Sequence, residues 1–254
     1  MRESILTKQS FRLFGKGFSA NALKMIALIT MIVDHFSAVI YLFLHNGGYT
    51  VEWGMEFEHS LNLYYIMRNI GRFAFPIFSF FIVEGYFHTK SRFKYMRNLL
   101  IFALISEVPY DFYFMGEPFY WGQQNVFFTL AIALGAVWLI DIVRQKLFFS
   151  VILRVLLQVL IIAGMTVLAR VLVTDYTCFG VWLAVIFYYY RDTRLLGCIM
   201  ATIIFCSLVP WGFPAFIALL FYNGERGKNM KYFYYIFYPA HLILLGIVRI
   251  LGGI

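Results

Sequence analysis

Two histidines, His35 and His241, stand in the middle of long apolar runs, and each has neighbours that bear on its chemistry. A neutral imidazole accepts a proton or attacks an acyl carbon near neutral pH. His35 is therefore the first candidate base, and His241, just after Pro239, the second candidate acid or base. Asp34 precedes His35, but neighbouring helical residues point about 100° apart, so its part would be to tune or orient the imidazole. Arg68 and Arg72 are four apart and share a helix face, where like charges repel unless acids or an anionic ligand stand opposite. Glu107 and Asp111 have the same spacing, with Pro109 between them. By helix counting they reach depths near that of Arg72 and would neutralise it. Asn125 can donate to a developing oxyanion. Each group also has a plainer reading. A histidine can be bonded across helices, the acids and arginines can form an ion-pair clamp, and Asn125 can cap the helix it opens. The plainer reading is preferred for Arg68; for Arg72 the two are balanced.

The elements that must position these groups are membrane helices. Of 254 residues, 62% are hydrophobic and 13% charged, against about 45–50% and about 25% in soluble domains. The apolar runs are continuous rather than alternating, which favours helices over strands. The expected spans are 22–45, 63–87, 98–115, 124–143, 147–173, 177–190, 195–208, 213–223 and 232–250. Lys and Arg fill every second loop and are missing from those between, which predicts a cytoplasmic N-terminus. The segments within 177–223 are shorter than the roughly 17 residues a crossing helix needs, so the count is eight or nine. The expected fold is thus an all-α polytopic bundle in the cell (cytoplasmic) membrane. It has a basic amphipathic segment over 1–20, suited to lie on an anionic leaflet, and one membrane domain over 21–254. The net charge of +8 belongs to cytoplasmic loops rather than to nucleic-acid binding. Cys178, Cys198 and Cys206 show no metal-ligand spacing, so neither a metal site nor a disulfide framework is expected.

Several stretches together resemble the TraX family. These are Leu23-Lys24-Met25-Ile26-Ala27-Leu28-Ile29-Thr30-Met31 running to Asp34-His35, and Gly71-Arg72-Phe73-Ala74-Phe75-Pro76 running to Glu84-Gly85 and His88-Thr89. Ser106-Glu107-Val108-Pro109-Tyr110-Asp111 and Asn125-Val126-Phe127-Phe128-Thr129-Leu130 continue the series. Asn223-Gly224-Glu225-Arg226-Gly227 and Tyr238-Pro239-Ala240-His241 complete it. Tyr110 stands where phenylalanine is expected. The family takes its name from a conjugative-pilin acetylase and is related to multi-pass enzymes that carry acetyl groups from cytoplasmic acetyl-CoA. The resemblance therefore implies acetyl transfer, which composition and spacing do not show.

The resulting expectation is an integral-membrane acyltransferase with acetyl-CoA as co-substrate and no metal. Its acceptor is the amine or hydroxyl of a small molecule, glycan or peptide. His35 serves as base or forms an acetyl-histidine, with Asp34 orienting it and His241 in reserve. Arg72 and Asn125 stabilise the oxyanion. Glu107 and Asp111 hold Arg72 and grip a cationic acceptor. Arg191, Arg194, Asn223, Arg226 and Lys228 receive the phosphates of CoA. Two other classes fit the same charges: a secondary transporter, disfavoured by the lack of matching Pro-broken helices in two halves, and a non-catalytic membrane assembly partner.

Overall fold

The structure, a computed structural model, describes residues 17–46, 54–146 and 150–251, and at 42–46 and 54–61 the backbone alone. The basic segment expected over 1–20 lies outside the described residues except for its last four. Among the described residues the chain is all-α, with two isolated bridges, Phe18 with Tyr222 and Gln124 with Thr174. The helices are α1 (Ala20–Asn46), α2 (Gly54–Gly71), α3 (Ala74–His88), α4 (Arg92–Met115) and α5 (Val126–Gln145). They continue as α6 (Val151–Val171), α7 (Thr177–Tyr189), α8 (Arg194–Cys206), α9 (Phe213–Leu220) and α10 (Lys231–Leu251), with a 3-10 turn, Pro210–Gly212, before α9.

Among the described residues, five helical stretches are long and apolar enough to cross a membrane: Ala20–Tyr41, Asn62–His88, Val126–Gln145, Val151–Val171 and Lys231–Leu251. The shorter apolar helices Thr177–Tyr189, Arg194–Cys206 and Pro210–Leu220 fall where the sequence reading found short segments. One expected span divides. The run 63–87 becomes α2 and α3, separated at Arg72 and Phe73, whose N–H groups bond back to Asn69 and Ile70 at 3.2 Å. The cause is Pro76. A proline ring clashes with the carbonyl four residues earlier, here that of Arg72. Pro76 therefore sits in the first turn of α3, where its missing N–H costs nothing. Pro109, by contrast, is carried inside an unbroken α4.

The chain forms two compact units. One comprises Phe78–Glu107 and Trp121–Phe205. Its centre is α5, which buries Leu130, Ala133, Leu134, Ala136, Val137 and Ile140. Asn125 caps α5 through its side chain, which accepts from Phe127 N–H. α5 packs on α6 and α7, and these two pack on each other. Gly135 permits the approach, since a Cβ there would lie 2.9 Å from Met165 Cε. α6 is mostly apolar, with Arg154, Gln158 and Arg170 among its exceptions, yet it buries only Ala169. Such a surface is unfavourable in water and carries no penalty against hydrocarbon.

The other unit comprises Lys16–Ile77, Val108–Tyr120 and Cys206–Ile254. Within it α1 packs against α2 and α10. The start of α1 is tied to the turn before α10. Phe18 N–H donates to Phe221 O at 2.8 Å, Ala20 N–H to Glu225 O at 2.8 Å and Asn21 N–H to Arg226 O at 3.2 Å. Gly224 and Gly227 take positive φ, 76° and 67°, which lets the turn close on α1.

Candidate functional site

The two histidines chosen from the sequence meet. Nδ1 of His35 and Nε2 of His241 are 2.7 Å apart in a buried hydrogen bond. The ring planes differ by 5°, with centroids 5.0 Å apart. His35 lies midway along α1 and His241 midway along α10, and the packing of these two helices brings the rings together. Pro239 supplies no N–H to its turn of α10, and Nδ1 of His241 donates to the nearby Phe237 carbonyl at 2.9 Å. Phe237 also stacks on His241, at 5.1 Å and 10°. Phe114 meets the His35 ring edge-on at 5.5 Å, and Tyr113 and Tyr238 flank it at 6.1 and 6.4 Å. The Tyr113 hydroxyl donates to the His35 carbonyl, and Arg249 donates to the Tyr113 carbonyl at 2.7 Å. The dyad is thus held in an aromatic cage with its main chain fixed from α4.

Asp34 is paired with Arg68 rather than with His35. Arg68 Nη1 donates to Asp34 Oδ1 at 2.6 Å, and the Asp34 side chain is 9% exposed. Arg72 is close enough for its charge to act on Asp34 as well. Gly71 lies directly against the carboxylate, and a Cβ there would stand 2.2 Å from Asp34 Cβ. Asp111 is buried; its Oδ2 accepts from Tyr120 N–H at 2.8 Å, and its Oδ1 has no hydrogen-bond partner. All these groups belong to the unit that contains α1 and α10.

In the other unit, Glu107 and Asn125 bond to each other. Both the N–H and the side-chain amide of Asn125 donate to Glu107 Oε2, the former at 3.2 Å. The amide also donates to Ala103 O at 2.8 Å, while Asn125 Oδ1 accepts from Phe127 N–H at 3.0 Å. Both amide hydrogens are thereby committed, and capping is what the residue does here. Arg191 pairs with Glu84 at 3.2 Å and lies over the Phe87 ring at 4.3 Å; Glu84 also faces His88 at 3.4 Å. Arg194 is the first residue of α8.

The Asn223–Gly227 turn is more constrained than a flexible phosphate cradle. Asn223 Oδ1 accepts from Glu225 N–H at 2.9 Å, and Asn223 Nδ2 reaches Gly17 O at 3.3 Å. Arg226 donates to Asn229 at 2.7 Å; its side chain and that of Lys228 are exposed.

A further cluster was not singled out from the sequence. The buried Asp141 of α5 accepts from Tyr86 at 2.6 Å, Tyr188 at 2.7 Å and Gln145 at 2.7 Å, and pairs with Arg92 at 3.1 Å. Arg92 also lies over the Tyr86 ring at 4.4 Å. One signal was available: a lone acid in an otherwise uncharged apolar run, with an amide four residues on.

Set beside known proteins, residues 19–249 match the family model described as TraX protein. The chain is 31% identical to the probable fimbrial assembly protein FimC, serogroup H1, of Dichelobacter nodosus, over 90% of this chain and 94% of that protein. No solved structure matches it.

Proposed function

The chain belongs to the TraX family, and on that footing we propose that it is a multi-pass acetyltransferase of the cell membrane. It moves an acetyl group from cytoplasmic acetyl-CoA to an amine or hydroxyl at or across the bilayer. The observation that carries the reading is the buried pair His35 and His241 inside two apolar helices. Ionisable groups at such depth are costly and are retained mainly for chemistry or transport. His35 is the base, and Arg72 stabilises the oxyanion, because the amide hydrogens of Asn125 are engaged elsewhere. Asp111, with a buried carboxylate oxygen left over, grips a donor group of the acceptor. The CoA phosphates rest on Arg226 and Lys228 beside Asn223. Eight or nine membrane segments and a cytoplasmic N-terminus complete the arrangement.

The test is label transfer from radioactive acetyl-CoA by purified protein in lipid. The expected result is CoA-thiol release and label capture that His35→Gln abolishes while thermal unfolding stays in place. Failure to bind or consume acetyl-CoA would remove the enzymatic reading. A second reading has its own support, since the relative from Dichelobacter nodosus is named for fimbrial assembly. In that case the chain serves surface-fibre assembly without catalysis, and His35→Gln leaves fibre assembly intact. If both hold, the acceptor is a fibre subunit.

A further inference from the structure

We propose that His241 is a positioning residue that fixes His35 as its Nδ1–H tautomer, so that Nε2 of His35 is the nitrogen that receives the proton. The use made of that nitrogen rests on the acetyltransferase reading; the tautomer does not. A backbone carbonyl only accepts, so the 2.9 Å contact with Phe237 O makes Nδ1 of His241 a donor. A neutral imidazole has one hydrogen, so Nε2 of His241 carries a lone pair. The 2.7 Å bond then requires Nδ1 of His35 to hold its hydrogen and donate it. The lone pair of His35 is left on Nε2. The opposite assignment would aim an unprotonated Nδ1 of His241 at the Phe237 oxygen, lone pair against lone pair.

In a serine-protease triad a carboxylate accepts from the corresponding Nδ1–H and holds the base in its working tautomer. Here the carboxylate adjacent in sequence, Asp34, is occupied by Arg68, and an imidazole takes that place. The groups around His35 are Phe114 and Tyr113 of α4 and Tyr238 and His241 of α10; Arg68 of α2 is the cation whose charge reaches it. In the transfer step, Nε2 takes the proton of the acceptor O–H or N–H as that heteroatom bonds to the acetyl carbon. The C–S bond breaks with its electron pair on sulfur. The proton on Nε2 then passes to the thiolate, which leaves as CoA, and His35 returns neutral. While His35 is cationic, its Nδ1–H bond to His241 becomes charge-assisted and stronger.

Nitrogen NMR of the full-length protein in lipid nanodiscs, with labelled histidine and signals assigned by His35→Gln and His241→Gln, reads the tautomer without any assay of transfer. The expected spectrum has His35 protonated at Nδ1 and bare at Nε2 in the wild type, with the two forms mixing in His241→Leu. His35 protonated at Nε2 in the wild type would overturn the inference whether or not the protein transfers acetyl groups. In kinetics, His241→Leu should lower kcat at least about 100-fold, with the KM for acetyl-CoA within about threefold. His241→Gln, whose amide oxygen accepts from Nδ1–H, should recover about tenfold of that loss. Wild-type kcat in His241→Leu, with His35→Gln inactive, would overturn the positioning role while leaving the acetyltransferase reading intact.

Discussion

Asp141 and His35 are both ionisable groups buried among apolar helices, yet their surroundings differ in kind. Asp141 is saturated: two tyrosine hydroxyls, a glutamine amide and an arginine all point at its two oxygens. Its partners come from α3, α4 and α7 as well as from α5 itself, so the carboxylate clamps four helices. His35 has one nitrogen committed, to a second histidine, and aromatic rings around the remainder. A buried charge whose bonding capacity is filled stabilises structure, and removing one partner leaves the others stranded. A buried base with a lone pair in hand does little for stability and is suited to proton transfer. The difference teaches that depth in the apolar core does not separate the two groups; how fully neighbouring side chains occupy their bonding sites does.

The comparison is broken most severely by His35→Gln, which should lower acetyl transfer at least about 1000-fold and leave the unfolding midpoint within a few degrees. Next is Asp141→Ala, which strands Arg92, Tyr86 and Tyr188. It should cost about 3 kcal/mol of stability, read by thermal unfolding in detergent, with turnover per folded molecule preserved. Arg68→Ala is intermediate, because the arginine side chain is 25% exposed and water partly replaces it. A loss of about 2 kcal/mol is expected, much of it recovered when Asp34→Asn is added, as a double-mutant cycle would show. That cycle also sharpens the account of Asp34: if it orients His35 rather than pairing with Arg68, Asp34→Asn lowers kcat in molecules that remain folded. The smallest effect belongs to the exposed Arg226 and Lys228. Replacing both with alanine should raise the KM for acetyl-CoA about three- to tenfold, an effect diminished by salt.

Much of the fold is legible in the sequence because uncharged runs longer than a bilayer's span have few alternatives to a helix. The segments read as 124–143 and 232–250 appear as α5, Val126–Gln145, and α10, Lys231–Leu251. The run 63–87, read as one span, divides at Arg72 because a proline ring disrupts a helix at the carbonyl four residues before it, where hydropathy gives no signal. The convergence of His35 with His241 was visible only as two histidines at similar depth. Pairing was not legible, because spacing fixes which residues share a face of one helix and says nothing of which neighbour that face meets. Hence Asp34, read as orienting His35, lies with Arg68, and Asn125, read both as an oxyanion donor and as a cap, caps α5 beside Glu107. Asp141 was passed over because it lies near the end of its run, where a charge looks like part of the adjoining loop.

The most direct test of the central claim is CoA-thiol release by lipid-reconstituted protein, normalised to folded molecules, for wild type, His35→Gln and Asp141→Ala side by side. The account predicts that the histidine variant is folded and silent, and that the aspartate variant is fragile but turns over at the wild-type rate. A folded His35→Gln protein with wild-type turnover would contradict it.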